Sequence, residues 1–314
     1  MTPIDTPVDD RFKRIIGRIS ADDAGPCVIV TAGMHGNELA GVFACQRVAA
    51  KLTTLSSKMK GDFVAITGNM HALTLERRFI QEDLNRVWSD DRISQVDLEG
   101  SFGGNTVESA EAHEVLISYR EAASRARGDI VSVDLHSTSS GSVPFCFLMD
   151  PERDLPLGRK LPMPCVVGLR DLLVGTFSQF ASRNGACAIA VEAGQHNDPA
   201  TVDNHEAAVW VVLFEAGVIS PNDVPGAHRY YELLEMCRGG LPNAVEIVHR
   251  HGIRLEDEFR MQPGFQNFHT IKEGELLAID RHGEIRADRG ALLFLPLYQK
   301  QGDDGFFLVE PWHG

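Results

Sequence analysis

Short apolar runs alternate with longer amphipathic stretches from about residue 26 to residue 217. The apolar runs predict buried strands at 26–33, 62–67, 129–135, 143–149 and 186–191. Between them, apolar residues recur at helical spacing, which predicts helices over 39–52, 106–127, 176–184 and 200–216. Continuous apolar strands separated by helices are typical of a sheet that is covered on both faces, so we expect an α/β fold.

The pattern changes after a segment rich in turn-forming residues, 220–226 (SPNDVPG). From residue 243 onward, short runs alternate apolar and polar positions and are separated by turn signals, which is typical of β-structure. We therefore predict two domains, an α/β domain over 1–225 and a small all-β domain over 226–314.

The 314-residue chain is acidic, because 44 Asp and Glu against 30 Lys and Arg give a formal charge of −14. This charge argues against a nucleic-acid partner, although a local cluster of arginines can still bind a small anion. No apolar run approaches the roughly 20 residues that span a bilayer, so no membrane partner is expected. The acidic N-terminus does not resemble a secretory signal, and six scattered cysteines without a CxxC motif favour a reducing cytoplasm.

Histidine and carboxylate side chains follow two of the predicted strands. His35 and Glu38 come directly after the first strand, and His136 follows the third. Ligands bind at strand ends in α/β folds, and two imidazoles with one carboxylate suit Zn²⁺ with an open fourth position. Asp134, two residues before His136, is placed to orient its imidazole. The alternative interpretations are a hydrogen-bonded helix start at His35 and a core histidine at position 136.

Further candidates for chemistry lie at another strand end and in a long polar connection. Glu192 leaves a wholly apolar strand, where burial should raise its pKa and suit it to act as a general base. The connection holds ERRFIQEDLNR, in which Arg78, Asn85 and Arg86 suit carboxylates or a developing oxyanion. The alternatives are a structural salt bridge at Glu192 and a solvated surface loop. His196, close behind Glu192, is a further candidate for lining the site.

Four motifs in this order, HGNE, GN…RRF…DLNR, DLHST and VEAG, resemble those of the succinylglutamate desuccinylase/aspartoacylase family of zinc-carboxypeptidase-like amidohydrolases. The resemblance covers nearly the whole chain. It implies a zinc-carboxypeptidase-like mixed sheet flanked by helices, and a small C-terminal all-β domain that closes the substrate pocket. The resemblance implies one zinc ion per chain, bound by His35, Glu38 and His136. It implies Glu192 as general base and Arg78 beside the scissile carbonyl. The implied substrate contacts are Asn85 and Arg86 with the substrate carboxylate, Tyr298, and either Arg170 or Arg183 as a further arginine.

The resemblance further implies a zinc-dependent hydrolase that cleaves the amide bond of a small anionic N-acyl amino acid, giving a carboxylic acid and a free amino acid. Glu192-assisted attack of zinc-bound water is the implied mechanism. The motifs suit both an N-acetyl-aspartate-like and an N-succinyl-glutamate-like substrate, and the sequence leaves homo-oligomerisation open. Two alternatives remain, a metallocarboxypeptidase acting on peptides and a non-catalytic, metal-stabilised carboxylate-binding protein.

Overall fold

The computed structural model of the chain describes residues 7–168, 174–298 and 304–313. The helices in these ranges are α1 (Ala40–Thr54), α2 (Met70–Thr74), α3 (Asp90–Glu99), α4 (Val107–Arg125), α5 (Pro151–Gly158), α6 (Phe177–Arg183), α7 (Ala200–Glu215) and α8 (His228–Arg238). None of them combines the length and apolarity that crossing a bilayer requires.

The strands in the same ranges are β1 (Ile15–Ser20), β2 (Cys27–Ala32), β3 (Asp62–Thr67), β4 (Ile130–Thr138), β5 (Phe145–Leu148), β6 (Cys165–Val167), β7 (Cys187–Gln195), β8 (Ala244–Gly252), β9 (Arg260–Met261), β10 (His269–Ile271), β11 (Leu276–Asp280), β12 (Gly283–Arg286), β13 (Ala291–Phe294) and β14 (Asp304–Pro311). All the strands and helices predicted between residues 26 and 217 are present, with shifts of a few residues at their ends.

Within the described ranges, eleven strands form one mixed sheet in the order β1-β3-β2-β4-β7-β5-β6-β8-β14-β13-β10. The central strands β3, β2, β4 and β7 are parallel, whereas β1 and β5 run antiparallel to their neighbours β3 and β7. Helices cover both faces, and this arrangement confirms the predicted α/β class with a mixed sheet.

Successive side chains of the central strands enter two different hydrophobic cores. Val28 and Val30 pack with α1 and α7 on one face, while Cys27 and Ile29 pack with α4 and α6 on the other. Because both faces are covered, most side chains on both faces of the central strands are apolar, as the sequence pattern predicts.

Beyond the turn-rich segment, the chain first forms α8, which packs on α7 where the rings of Trp210 and Tyr230 stack with centroids 5.6 Å apart. Strands β8, β14, β13 and β10 then extend the large sheet beyond β6, and β12, β11 and β9 form a separate three-stranded sheet. The β-rich character from residue 243 is confirmed, but its larger part is hydrogen-bonded into the sheet of the N-terminal region. The division at residue 225 stays a prediction.

Candidate active site

Three neighbouring parallel strands bring the predicted metal and base residues to one edge of the sheet. Strands β2, β4 and β7 lie side by side. The turn after β2 carries His35 and Glu38, whereas His136 and Glu192 lie near the ends of β4 and β7 and are partners in the register of these strands. The carboxyl ends of parallel strands are where α/β folds bind their ligands.

The turn HGNE lies against the backbone of the segment that carries Arg78. The Gly36 N–H donates to the Arg78 carbonyl oxygen at 3.1 Å. A Cβ atom at Gly36 would lie 2.0 Å from the Ala72 carbonyl carbon and 2.4 Å from the Arg77 carbonyl oxygen, so a side chain does not fit there. Glycine at this position therefore lets the His35 turn and the arginine segment pack together.

His35, Glu38 and His136 converge inside the protein. Each offers one ligand atom, and these atoms lie within 4.8 Å of one another. The Nδ1 atom of His35 is 2.8 Å from Glu38 Oε1, and the Nδ1 atom of His136 is 3.0 Å from Glu38 Oε2. All three residues are buried. Two imidazoles that face one carboxylate form a donor set that fits a zinc ion.

The electrostatics of this cluster favour positive charge. Burial opposes ionisation of Glu38, but the imidazoles of His35 and His136 outweigh it and hold the pKa of Glu38 well below its usual range. Burial also opposes protonation of His136, but Asp134 and Glu38 outweigh it and raise the pKa of His136 well above its usual value. A divalent cation can replace the protons on imidazoles that face a buried carboxylate.

Asp134 orients His136 from the side opposite Glu38. Its Oδ2 atom lies 2.9 Å from His136 Nε2, and its Oδ1 atom accepts a hydrogen bond from the Thr31 hydroxyl at 2.7 Å. A carboxylate on one ring nitrogen fixes the tautomer and leaves the other nitrogen for a metal. This contact supports the expectation that Asp134 positions His136.

Asp83 makes the equivalent contact to His35 and also holds an arginine. Its Oδ1 atom lies 3.1 Å from His35 Nε2 and accepts from the Asn85 N–H at 2.8 Å. Its Oδ2 atom accepts from Arg78 Nη2 at 2.9 Å. Sequence reasoning assigned Asp83 no role, although its place in DLNR between arginines is a signal for an ion pair. One carboxylate therefore contacts both a candidate metal ligand, His35, and Arg78.

Glu192 lies beside the candidate metal cluster that His35, Glu38 and His136 form, and it lines the same cavity. Its Oε2 atom is shielded from solvent and has no hydrogen-bond partner among the described residues. Burial is the main cause that raises the pKa of Glu192 to about 8, with His136 opposing it and Glu38 adding to it. A carboxyl group that titrates near neutrality is suited to take and return a proton.

Arg78, Asn85 and Arg86 line the same cavity as the candidate metal cluster. Arg78 Nη1 lies 3.8 Å from Glu38 Oε1. The Asn85 side chain approaches His136 Nε2 at 3.3 Å and accepts from the Phe177 N–H of α6 at 2.9 Å. Arg86 Nη1 donates to the Asn85 carbonyl oxygen at 2.7 Å. Guanidinium groups suit anionic ligands, and this cavity holds two of them beside the carboxylates of Glu38, Asp83, Glu192 and Asp304.

A buried carboxylate of α4 supports the segment that leads to these residues. Glu108 accepts from the Asn69 side chain at 3.0 Å and from the Ile80 N–H at 2.6 Å. Its Oε2 atom accepts from the N–H groups of Gln81 and Glu82 at 3.1 and 3.3 Å. Glu108 is not distinguished in the sequence, because a glutamate in the first turn of a helix is common.

The cavity has a volume of about 730 Å³, which is within the usual range for small-molecule sites. His35, Glu38, His136, Glu192 and the three residues of the arginine segment all contribute to its wall. The C-terminal strands and the turn after β13 complete the wall with Leu295, Pro296, Leu297 and Phe307. The structure therefore brings seven of the eight predicted site residues together.

Tyr298, the eighth predicted site residue, is not among the described residues that line this cavity. It directly follows the lining residue Leu297, but its hydroxyl donates to the Gln262 carbonyl oxygen at 2.8 Å and accepts from the Phe265 N–H at 2.9 Å. The hydroxyl is thus engaged by the backbone. Contact between Tyr298 and substrate stays a prediction.

Three other residues considered from the sequence are Arg183, Arg170 and His196, and they differ in whether they line the cavity. Arg183 donates to the Trp88 carbonyl oxygen at 2.9 Å and pairs with Asp90 at 3.2 Å, and it is not among the described lining residues. Arg170 lies outside the described residues. His196, which the sequence offers only as a candidate, does line the cavity.

Comparison with known proteins agrees with this geometry. The chain is 26% identical over 292 residues to a succinylglutamate desuccinylase of Pseudomonas paraeruginosa, with 88% of this chain and 82% of that protein covered. It is 25% identical over 301 residues to a succinylglutamate desuccinylase of Photorhabdus laumondii, with 85% and 90% covered. The crystal structure of succinylglutamatedesuccinylase/aspartoacylase from Rhodobacter sphaeroides has the same fold, with a TM-score of 0.69 at 19% identity over 94% of this chain and 88% of that chain.

The match to a family model covers most of the region that contains the site. Residues 24–212, more than half of the chain, match the succinylglutamate desuccinylase/aspartoacylase catalytic domain. The matched range includes His35, Glu38, His136 and Glu192. The chain therefore belongs to the succinylglutamate desuccinylase/aspartoacylase family, whose members hydrolyse N-acyl amino acids.

Proposed function

We propose that the protein is a zinc-dependent amidohydrolase that cleaves a small anionic N-acyl amino acid into a carboxylic acid and a free amino acid. The observation that carries the proposal is the convergence of the His35–Glu38–His136 cluster with Glu192 and Arg78 in one cavity. The curated relatives are succinylglutamate desuccinylases, so an N-succinyl-glutamate-like substrate is the first candidate and an N-acetyl-aspartate-like substrate the second.

In this proposal, His35, Glu38 and His136 hold one zinc ion per chain. When bound, zinc supplies Lewis acidity, which lowers the pKa of a water molecule and polarises a carbonyl group. Glu192 takes the proton of the attacking water on its unpartnered Oε2 atom and returns it to the leaving amine. The position of Glu192 opposite His136 in the strand register supports this role.

The arginine segment binds and orients the substrate. Arg78, held by Asp83, stabilises the oxyanion that develops on the amide oxygen. Removing one such donor typically costs about 10²–10³ in rate. Asn85 and Arg86 hold the carboxylate of the amino-acid part, which explains how an acidic protein selects an anion. Rigid placement of these groups supports catalysis by orientation.

The metallocarboxypeptidase alternative differs in the length of the substrate. Residues 295–297 and Phe307 form a wall on one side of the cavity, and this wall supports a preference for small acylated amino acids over peptides. In the non-catalytic alternative, Glu192 has a structural role. The protein then hydrolyses no substrate, and Glu192→Gln has no activity to remove. One experiment can separate all three functions.

The experiment measures bound zinc and hydrolysis for wild type, Glu192→Gln and the control Glu121→Gln. The control changes a partly exposed glutamate of α4 that pairs with Arg18. The substrates are N-succinyl-L-glutamate, N-acetyl-L-aspartate, an N-acetylated diamino acid and one tripeptide. We expect about one zinc per chain. We also expect Glu192→Gln to retain zinc and lose at least about 100-fold in kcat.

Three other results would contradict the proposal. Cleavage of the tripeptide in preference to every acyl amino acid would favour the peptidase. Zinc binding without turnover of any substrate would favour the carboxylate-binding protein. Failure to bind zinc after reconstitution would remove His35, Glu38 and His136 as ligands.

We further propose that the enzyme works in the reducing cytoplasm. All six cysteines are free thiols. Cys146 and Cys165, on the adjacent strands β5 and β6, remain thiols although their Sγ atoms are 3.3 Å apart. Proteins of oxidising compartments commonly use such pairs as disulfides, so unpaired cysteines support a reducing compartment.

A further inference from the structure

His196 makes a fixed contact beside the metal cluster that the proposed reaction does not use. It lines the cavity, and its Nδ1 atom lies 2.7 Å from the hydroxyl of Ser137, the neighbour of His136 in the chain. Its backbone N–H donates to the Thr138 carbonyl oxygen at 3.0 Å. Both the main chain and the imidazole of His196 are therefore held by the end of β4.

The contact with Ser137 decides which nitrogen of His196 carries the proton. Among the described residues, His196 Nδ1 is the one acceptor within reach of the buried Ser137 hydroxyl. A buried hydroxyl without an acceptor is costly, so Ser137 donates to Nδ1. Burial lowers the pKa of His196, which favours the neutral ring. The ring proton is then on Nε2, and Nε2–H becomes a hydrogen-bond donor toward the cavity.

His196 and the arginine segment lie on opposite sides of the metal cluster. Successive side chains of a strand point to opposite faces. Ser137 shares its face of β4 with Val133 and Leu135, which pack with α1 and α7. Asp134, on the other face, accepts from Ser178 of α6 at 3.4 Å. Asn85 is bonded to α6 as well. His196 therefore lies on the α7 side, and Asn85 with Arg86 lies on the α6 side.

We propose that His196 is a specificity residue whose Nε2–H donates a hydrogen bond to an oxygen atom at the far end of the substrate's acyl group. This inference rests on the proposed function, in which Asn85 and Arg86 hold the amino-acid carboxylate on the α6 side. With the scissile amide at the metal cluster, the acyl group extends toward the α7 side. The hydroxyl-bearing segment 137–140 lines the cavity next to His196. This polar wall suits an acyl chain that carries a second oxygen acceptor, such as a terminal carboxylate, better than it suits an acetyl methyl group.

The test uses two substitutions, each of which replaces one of the two ring nitrogens of His196 by an amide group. In His196→Asn, the amide can still bond Ser137 but ends where Nδ1 was, short of the substrate. In His196→Gln, the amide nitrogen reaches the place of Nε2. Both variants are compared with wild type as zinc-loaded enzymes on N-succinyl-L-glutamate and N-acetyl-L-glutamate, which differ in the acyl group alone. Zinc content is measured for each variant.

We expect His196→Asn to lower kcat/KM for the succinyl substrate by about 10- to 100-fold, the range for a lost hydrogen bond to a charged group. For the acetyl substrate we expect a change of less than about threefold, because no such bond is lost. His196→Gln should recover most of the loss. Equal losses on both substrates would show a structural role, and no loss on either would show no contact. Either result would overturn the inference.

A binding measurement separates this inference from the proposed function. If wild type hydrolyses none of the acyl amino acids, N-acetyl-L-aspartate included, the proposed function fails. Calorimetric titration of zinc-loaded wild type and His196→Asn with succinate and with acetate then decides the inference alone. We expect the substitution to weaken succinate binding by about tenfold and to leave acetate binding unchanged. Equal succinate affinities in the two proteins would refute it.

Discussion

Replacing Asp83 by Asn tests whether one carboxylate couples the metal site to the arginine segment. Asp83 uses one oxygen for His35 Nε2 and the Asn85 N–H, and the other for Arg78 Nη2. These three groups all donate to Asp83, but asparagine has one acceptor oxygen and one donor amide. If the oxygen keeps His35 and Asn85, the amide must face Arg78, donor to donor. The substitution therefore breaks at least one contact while it preserves the shape of the side chain.

The expected losses follow from the kinds of contact involved. Loss of a group that orients a metal-bound histidine typically weakens metal affinity by about 10- to 100-fold. A hydrogen bond to a charged partner contributes about 1.5–3 kcal/mol, so release of Arg78 should lower kcat/KM by about 10- to 100-fold even at saturating zinc. Burial opposes ionisation of Asp83, yet His35 and Arg78 keep its pKa far below the usual value, so Asp83 is charged throughout the assay range.

The assay combines zinc competition with a chromophoric chelator and steady-state hydrolysis at saturating zinc. The control is Asp203→Asn, which removes a carboxylate that contacts Arg47 at 2.7 Å on the exposed surface. Exposed ion pairs contribute little, so we expect the control to resemble wild type. If Asp83→Asn also binds zinc and turns over substrate within about fivefold of wild type, the range of an exposed pair, Asp83 does not couple the two sites.

Two further predictions concern the support of the site and its protons. Glu108→Gln places an amide donor against backbone N–H groups of residues 80–82, so we expect the free energy of unfolding to fall by about 1–3 kcal/mol and KM to rise. Thermal unfolding and steady-state kinetics measure the two effects, with Glu114→Gln on the exposed face of α4 as the control. An unchanged KM would refute the link between Glu108 and the site. Because the pKa of His136 is raised well above its usual value, zinc binding near pH 7 should release a proton, and zinc affinity should fall as the pH falls. Calorimetry in buffers of different ionisation enthalpy measures this release, and buffer-independent heats would contradict it. In the metal-free protein, the same shift contributes stability that is complete below the ordinary pKa of about 6.5 and is lost as the pH rises through the raised pKa.

The core of the site can be predicted from the sequence because it depends on simple geometry. His35, His136 and Glu192 each end or follow an apolar strand, and parallel strands of one sheet carry such residues to the same edge. The motif DLNR adds polar groups in a long irregular connection. Such connections are uncommon in compact domains and are usually functional. Local pattern and strand direction are therefore sufficient to assemble these residues.

Other parts depend on contacts that no local pattern reports. The contact between His35 and Asp83 joins residues 48 positions apart, and either side chain alone would suit a solvated turn. The apolar pattern of β1 is broken by Gly17 and Arg18; this strand lies at the edge of the sheet, where Arg18 pairs with Glu121 of α4. The C-terminal strands have an ordinary antiparallel pattern, which does not reveal that β8 pairs with β6.

The ladder between β6 and β8 limits how the cavity can change shape. These strands pair in parallel through three residue pairs, Cys165–Ala244, Val166–Val245 and Val167–Glu246. The Leu297 N–H donates to the Gly305 carbonyl oxygen of β14 at 2.9 Å, which joins the cavity wall to the same sheet. A hinged lid would have to break backbone hydrogen bonds at every turnover. This wall should therefore act as a fixed rim, and new substrate preferences in close relatives should arise from exchanged side chains on that rim rather than from altered loop motion.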